Sequence, residues 1–221
     1  PPSAIYDVPN GVDSRYQSAT PDMFVTKYGL QDFVLYTGQI GNPRKNLKRL
    51  LRVAGQLPHI DFVLIGQPLP TPEARETLEL AQHYPNVHLL GHVSEEELIS
   101  AYGACKVLAL PSLIEATGLV ALEAGLAGAR VVITQNGGPP YYFGDLAHYV
   151  DPYAEGSICA AIEAALAEPR DDRLRQRIAS RFLWGIIAEQ LEGVYRRVLD
   201  ERTARAEPPL RPQGHVQAAV E

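Results

Sequence analysis

Apolar residues return along this chain in two alternating rhythms. Short, almost wholly apolar runs occur at "DFVLYTG" (32–38), "DFVLIG" (61–66), "KVLALPS" (106–112) and "RVVIT" (130–134). They are too short for helices and rich in β-branched residues, so they predict strands buried on both faces. Between them lie longer stretches with apolar residues every three or four positions, which predict helices. In 42–57, Leu47, Leu50, Leu51 and Ala54 share one helical face. In 71–84, a Thr cap, a Pro at the first helical position and acids in the first turn mark a helix start. Ser94 and Glu97 have capping-box spacing. "NVHLLG" (86–91) reads as a short strand, and "GDLAHYVDP" (144–152) holds a weaker one. "GLVALEAGLAG" (118–128) reads as a helix that Gly128 stops. From Ala154 to about Arg205 the pattern is helical, with a break near Pro169. The last fifteen residues, 207–221, are Pro-rich and polar and predict disorder.

This alternation predicts an α/β fold: a Rossmann-like parallel sheet with helices on both faces, right-handed crossovers and C-terminal helices. Residues 1–200 form the expected domain and 201–221 a flexible tail. There is no internal repeat. In open parallel sheets, ligands bind beyond the carboxyl ends of the strands, where strand order reverses. Three loops therefore draw notice: those after Tyr36, Leu90 and Leu110.

Composition narrows the field. The 221 residues are 46% hydrophobic and 21% charged, which is ordinary for a globular protein. A net charge of −6 argues against a dedicated nucleic-acid binder. Cys105 and Cys159 sit in apolar surroundings and read as reduced core residues. No apolar run is long enough to span a bilayer, and no signal peptide is evident, so the cytoplasm is the expected compartment. A peripheral role at the inner membrane face stays open. "PPSAIYDVPNGVD" opens abruptly with an extended apolar stretch and without Met, which predicts a missing N-terminal part.

The first loop, "TGQIGNPRKN", joins Gly38 and Gln39 to Arg44 and Lys45 at a helix start. Cations beside free helix N–H groups suit a phosphate. The same residues also fit a solvated helix start. Neither a P-loop nor a dinucleotide glycine fingerprint is present. In the second loop, Gly91, His92 and Val93 could receive a planar base; His92 also fits an ordinary loop histidine. In the third, Glu115 precedes Gly118, and Glu123 follows with seven residues between the two acids. Leu119 and Glu123 share a helix face. A carboxylate can accept from two adjacent hydroxyls, and an anion between the acids could bond the helix N–H groups. The bland alternative is a solvated loop acid and a glutamate that complements the helix dipole.

From "VPNGVD" (8–13) to about "GVYRRVL" (193–199), the chain resembles the C-terminal, donor-binding domain of retaining GT-B glycosyltransferases of the GT4 family. "YTGQIGNPRKNL", "NVHLLGHVSEEEL", "ALPSLIEATGLVALEAGLAGARVV" and "GG" before "GDLAHYVDP" carry the likeness, in the family's order. The acid pair matches its E-x7-E signature. The resemblance implies a nucleotide-diphosphate sugar donor of UDP or GDP type and transfer with retention. It implies Lys45 at the diphosphate, Glu123 at the ribose hydroxyls and Glu115 beside the donor sugar. Thr117, Gly118 and Leu119 would offer amides to sugar and phosphate. Gly91 to Val93 would take the base, and Gly11 would approach the phosphates.

Three departures stand out. Gln39 replaces a frequent Arg, with Arg44 as a candidate substitute. "EATG" replaces "EGFG", altering the sugar-facing loop at Ala116 and Thr117. Tyr141 replaces a frequent acid. No D-x-D pair occurs, so no divalent ion or other cofactor is expected. The acceptor (glycan, lipid-linked or small molecule) would be held mostly by a missing N-terminal domain, so this domain alone should bind donor weakly and transfer little. Trp184 and Tyr195 would pack towards that domain. Other readings are a catalytically silent interaction module, a nucleotide-sugar epimerase on the same architecture, or a Rossmann oxidoreductase, against which the absent glycine fingerprint speaks.

Overall fold

The computed structural model describes residues 5–169 and 171–206. The predicted tail from 207 onward lies outside them. Six strands form one parallel sheet: β1 (Val34–Thr37), β2 (Phe62–Ile65), β3 (Val87–Gly91), β4 (Val107–Leu110), β5 (Arg130–Thr134) and β6 (His148–Val150). Their order is β3-β2-β1-β4-β5-β6. The chain runs outward from β1 to β3, crosses back to β4 beside β1, then runs outward the other way. Strand order thus reverses between β1 and β4, which pair Val34 with Val107 and Leu35 with Leu108.

Every residue of β1, β2, β4 and β5 is buried, as expected for strands covered on both faces. The helices are α1 (Asp22–Tyr28), α2 (Leu47–Gln56), α3 (Pro72–Ala81), α4 (Glu95–Ala104), α5 (Leu119–Leu126), α6 (Pro139–Phe143), α7 (Glu155–Ala167), α8 (Arg173–Arg181) and α9 (Trp184–Ala206). α2 packs on α3 and α7, and α7 on β4, β5 and β6. On the other face α4 packs on α1 and α5, and α5 on α8. This division follows from right-handed crossovers running in opposite directions from the switch point.

The capping chemistry is realised. Thr71 accepts from the Ala74 N–H, and Ser94 and Glu97 form the reciprocal capping box. Each such cap stabilises its helix by about 1 kcal/mol.

Several features differ from the sequence reading. Ile5, in the apolar opening stretch, is almost fully exposed. The helical C-terminal region is cut not only near Pro169 but again at Phe182–Leu183, where the Val12 N–H donates to the Phe182 carbonyl and the Trp184 N–H to the Val12 carbonyl. Two backbone bonds to the N-terminal segment thus replace helical ones at that point. α9 continues through 201–206, part of the expected tail. Cys105 is buried as expected, but Cys159 is only partly buried on α7, and neither forms a disulfide. Cys159 lies near the Glu163 carboxylate, and burial pushes its thiol up.

Candidate functional site

A cleft of about 480 Å3 opens over the carboxyl ends of β1, β2 and β3. That lies within the roughly 300–1,000 Å3 typical of small-ligand sites. Gly38, Gln39, Gly91, His92, Val93 and Glu123 line it. The loops after Tyr36 and Leu90 and the helix after Gly118 therefore meet, although more than 80 residues separate the first from the last. Tyr16, Thr37, Gly66 and Gln67 also line the cleft and were not singled out from the sequence. Gly66–Gln67 follows β2, and the glycine ending "DFVLIG" was its available signal. Tyr16 comes from the turn Ser14–Ser18, for which no periodicity gives a sign.

Glu123 stands one turn into α5, and Tyr102 donates to its Oε2 at 2.7 Å. Burial pushes the Glu123 carboxyl above the usual carboxylate range, with the Tyr102 and Tyr16 hydroxyls opposing the shift. Tyr16 is itself pushed up to about 12, by burial first and by the Glu123 charge second.

Beside this cleft, outside its lining, a second cluster forms after β4. The Lys45 Nζ sits 2.6 Å from the Glu115 Oε1, and the Ser112 hydroxyl donates to the same oxygen at 2.6 Å. Only 7% of the Glu115 side chain and 18% of Lys45 is exposed. Two staples bring Lys45 to the third loop. The Leu113 N–H donates to the Arg44 carbonyl, and the Asn46 amide donates to the carbonyls of Pro111 and Pro152. Asn46 takes a left-handed conformation (φ 57°) to do so. The Arg44 side chain is exposed and finds no ion-pair partner among the described residues; its contribution to this contact is its backbone.

Burial first, and the Glu115 charge second, raise the Tyr36 phenol well above its ordinary range. Its hydroxyl donates to the Gln39 carbonyl. The Gln39 side chain is exposed and accepts only weakly from Asn42, at 3.4 Å.

Gly118 turns the chain into α5 with φ 76° and ψ 53°, a left-handed conformation that residues with a Cβ rarely adopt. The Ala121 and Leu122 N–H groups bond back to the Gly118 carbonyl. Those of Leu119 and Val120 find no partner among the described residues, leaving donors at the positive end of the helix dipole. Thr117 is buried and accepts from the Asn10 amide at 2.8 Å, while the Leu119 side chain is half-exposed.

The "GG" pair supports this loop from behind. Glu115 N–H donates to the Asn136 carbonyl, and Gly138 N–H to the Glu115 carbonyl. A Cβ at Gly137 would stand 2.0 Å from the Glu115 oxygen, so only glycine permits the approach. Tyr141, in place of the frequent acid, points outward and is half-exposed. Its neighbour Tyr142 instead accepts from the Asn10 N–H.

Gly11 is buried against Trp184, whose ring would lie 2.7 Å from an added Cβ. Trp184 thus packs on the Asn10–Gly11 segment with about half its surface exposed, and Tyr195 is exposed on α9. Among the described residues no cluster of His, Cys, Asp or Glu is arranged to hold a metal ion, and no helix is long and apolar enough to cross a membrane.

Comparison with known proteins agrees with this architecture. The family model for glycosyl transferases group 1 matches residues 24–181. A D-inositol 3-phosphate glycosyltransferase of Mycolicibacterium smegmatis is 32% identical over 188 residues, covering 81% of this chain and 43% of that protein. An MMP alpha-(1->4)-mannosyltransferase of Mycolicibacterium hassiacum is 24% identical, covering 90% of this chain and 49% of its own length. Among solved structures, a sucrose-phosphate synthase from Thermosynechococcus elongatus superposes with a TM-score of 0.76 at 24% identity, over 88% of this chain and 52% of the other. HepE from Anabaena, solved in complex with UDP and glucose, gives 0.72 at 21% identity, over 86% and 56%. The chain spans about half the length of the relatives it matches. Its parallel sheet, its order of motifs and the extent of the family match lead to one conclusion: the chain belongs to the glycosyl transferases group 1 family, with the Rossmann-like α/β fold of a GT-B half.

Proposed function

We propose that this chain is the donor-binding half of a retaining glycosyltransferase that takes a nucleoside diphosphate sugar of UDP or GDP type. An N-terminal domain outside this chain would complete it by holding the acceptor. One observation carries the reading. At the switch point of the sheet, a cleft holding Glu123 adjoins a Lys45–Glu115 pair and the unpaired N–H groups opening α5. The base lies against Gly91–Val93, and the ribose hydroxyls bond to Glu123. The diphosphate takes Lys45 and the Leu119 and Val120 N–H groups, with Gly38 and Gln39 alongside. The sugar sits by Glu115 and Thr117. Gly11 approaches the phosphates from the N-terminal segment. The half-length of the chain against its relatives, and the UDP and glucose in the HepE structure, support this arrangement.

Transfer breaks the bond between the anomeric carbon and the diphosphate oxygen, an acceptor hydroxyl oxygen bonds that carbon on the same face, and the hydroxyl proton passes to the departing diphosphate. Negative charge collects on the departing diphosphate. Preorganised donors lower that barrier most effectively where water is excluded. Lys45 is held against the third loop, where Glu115 neutralises it. Donor binding therefore draws Lys45 from a carboxylate to a diphosphate, two groups of the same charge sign. No metal is required, since Lys45 and the helix amides supply the positive field. The absence of a D-x-D pair agrees with this. The working compartment is the cytoplasm, where nucleotide sugars are made.

Calorimetry of the chain with UDP, GDP, ADP and the matching sugars tests the proposal. One uridine or guanosine donor binds, and EDTA leaves the affinity unchanged. Failure of every nucleotide to bind would overturn the donor assignment, and loss of binding in EDTA would overturn metal independence.

A further inference from the structure

Glu123 is held by more than its own helix. Tyr102, on α4, is fully buried. A phenol with no exposure must satisfy its hydroxyl inside the protein, and this one donates to the Glu123 Oε2. Burial raises the Tyr102 phenol, and the Thr37 hydroxyl, at the end of β1, acts on it to lower its pKa slightly against that rise. Tyr16 packs edge-on against the Tyr102 ring, with centroids 5.7 Å apart at 75°, and its hydroxyl faces the same carboxylate. Thr37, Tyr16 and Glu123 all line the cleft, whereas Tyr102 does not reach it. The residue that donates to the acid is therefore hidden from any ligand, and it acts only through Glu123.

A glutamate's terminal torsion is broad and roughly two-fold, so a free carboxylate samples many planes. Accepting from two adjacent hydroxyls needs one plane. We infer that Tyr102 is a positioning residue that makes this cleft select ribonucleotides over 2′-deoxyribonucleotides, by holding the Glu123 carboxylate in the plane that accepts from both ribose hydroxyls. The inference rests on the ribose assignment of Glu123 made above. With its Oε2 anchored by Tyr102, Glu123 still lines the cleft. The charged and titratable groups around Glu123 are Tyr102 and Glu95 from α4, and Tyr16 and Arg15 from the Ser14–Ser18 turn. Burial raises the Glu123 carboxyl, and the Tyr102 hydroxyl works against that rise. Loss of the hydroxyl leaves the acid protonated up to higher pH, and a protonated acid accepts less well.

The test is calorimetry of the full chain with UDP and GDP, their 2′-deoxy forms and inorganic pyrophosphate, repeated from pH 5 to 8. The wild-type chain prefers the ribonucleotide by about tenfold, the scale of one hydrogen bond to a charged group. Tyr102→Phe keeps the ring and lowers the preference to about threefold or less. It also moves the acid limb of ribonucleotide binding to higher pH and leaves pyrophosphate affinity unchanged. Thr37→Val, which removes the hydroxyl beside Tyr102, shifts the preference in the same direction by a smaller factor and leaves pyrophosphate affinity unchanged. It serves where Tyr102→Phe lowers the fraction folded. An unchanged preference and pH profile in either folded variant would overturn the inference and leave Tyr102 a packing residue. A Glu123→Gln variant that binds nucleotide as well as the wild-type chain would instead overturn the ribose assignment itself.

Discussion

The two ends of the sheet treat charge in opposite ways. At the starting edge of β5 and β6, Arg130 is buried and surrounded. Its guanidinium donates to the Pro169 carbonyl and lies 3.3 Å from Asp171 and 3.7 Å from Glu168. Arg173, and Arg130 less strongly, hold Asp171 down to about 2. At the finishing edge, Glu123 is pushed the other way, and the helix-opening N–H groups lack partners among the described residues. A depression of about 150 Å3 at the starting edge is lined by Arg130, His148, Glu168, Asp171 and Arg173, which pair with one another. The larger cleft at the finishing edge is lined by groups with bonding capacity left over. Concavity alone therefore does not mark a site; unspent donors and acceptors do.

The contrast can be broken most strongly at Arg130. Arg130→Ala should cost about 3 kcal/mol, because it strips a buried cation from its partners. For a chain of this size that lowers Tm by roughly 6–12 °C. Nucleotide affinity of the folded fraction should not change. Thermal unfolding and calorimetry on one sample check both, and a weakened affinity would link the two ends.

Lys45→Ala is the converse. It should lower affinity for a nucleoside diphosphate by roughly 30-fold, about 2 kcal/mol, the scale of a charge-assisted phosphate contact. The Tm should also fall, because Glu115 is only 7% exposed and Ser112 alone then satisfies its carboxylate. Affinity for the bare nucleoside should be unaffected. A uniform loss across nucleoside and diphosphate would mean that the cleft itself had collapsed.

Glu123→Gln gives the smallest effect on stability, and its sign sharpens the comparison. A carboxyl raised in the folded state stabilises below its unfolded value, and that contribution is lost as pH rises through the folded value. The variant should therefore match wild type in acid and exceed it at neutral pH, while binding nucleotide less well. Asp171 behaves oppositely. Its contribution is present above the ordinary aspartate range and is lost as pH falls towards 2. Asp171→Asn should thus destabilise at neutral pH and converge with wild type in strong acid, as urea unfolding across pH would record.

Much of this was legible beforehand because it is local. Thr71, Ser94 and Glu97 announce caps through spacing alone, and the structure shows the same bonds. The buried runs of β1, β2, β4 and β5 follow from composition, and the family follows from motif order. The loops after Tyr36 and Leu90 line the cleft as expected, because doubly wound sheets place them at the switch point. The Ser112–Glu115–Lys45 cluster was half visible: two of its members were named, but nothing marked Ser112 as the donor that holds the acid. The Arg44 side chain is exposed, and the residue's contact with the third loop is made by its carbonyl, which no residue spacing announces.

The sequence by itself determined the alternation of strands and helices, the helix starts and the acids flanking Gly118, because these depend on neighbours within a few residues. Tertiary structure alone decided that Tyr16, Thr37 and Tyr102 gather around Glu123 and that Trp184 closes on Gly11. Those contacts join elements 21 to 173 residues apart, and no periodicity encodes which buried hydroxyl will meet which acid. That choice is made only when the sheet is assembled and each polar group enclosed by it must find a partner.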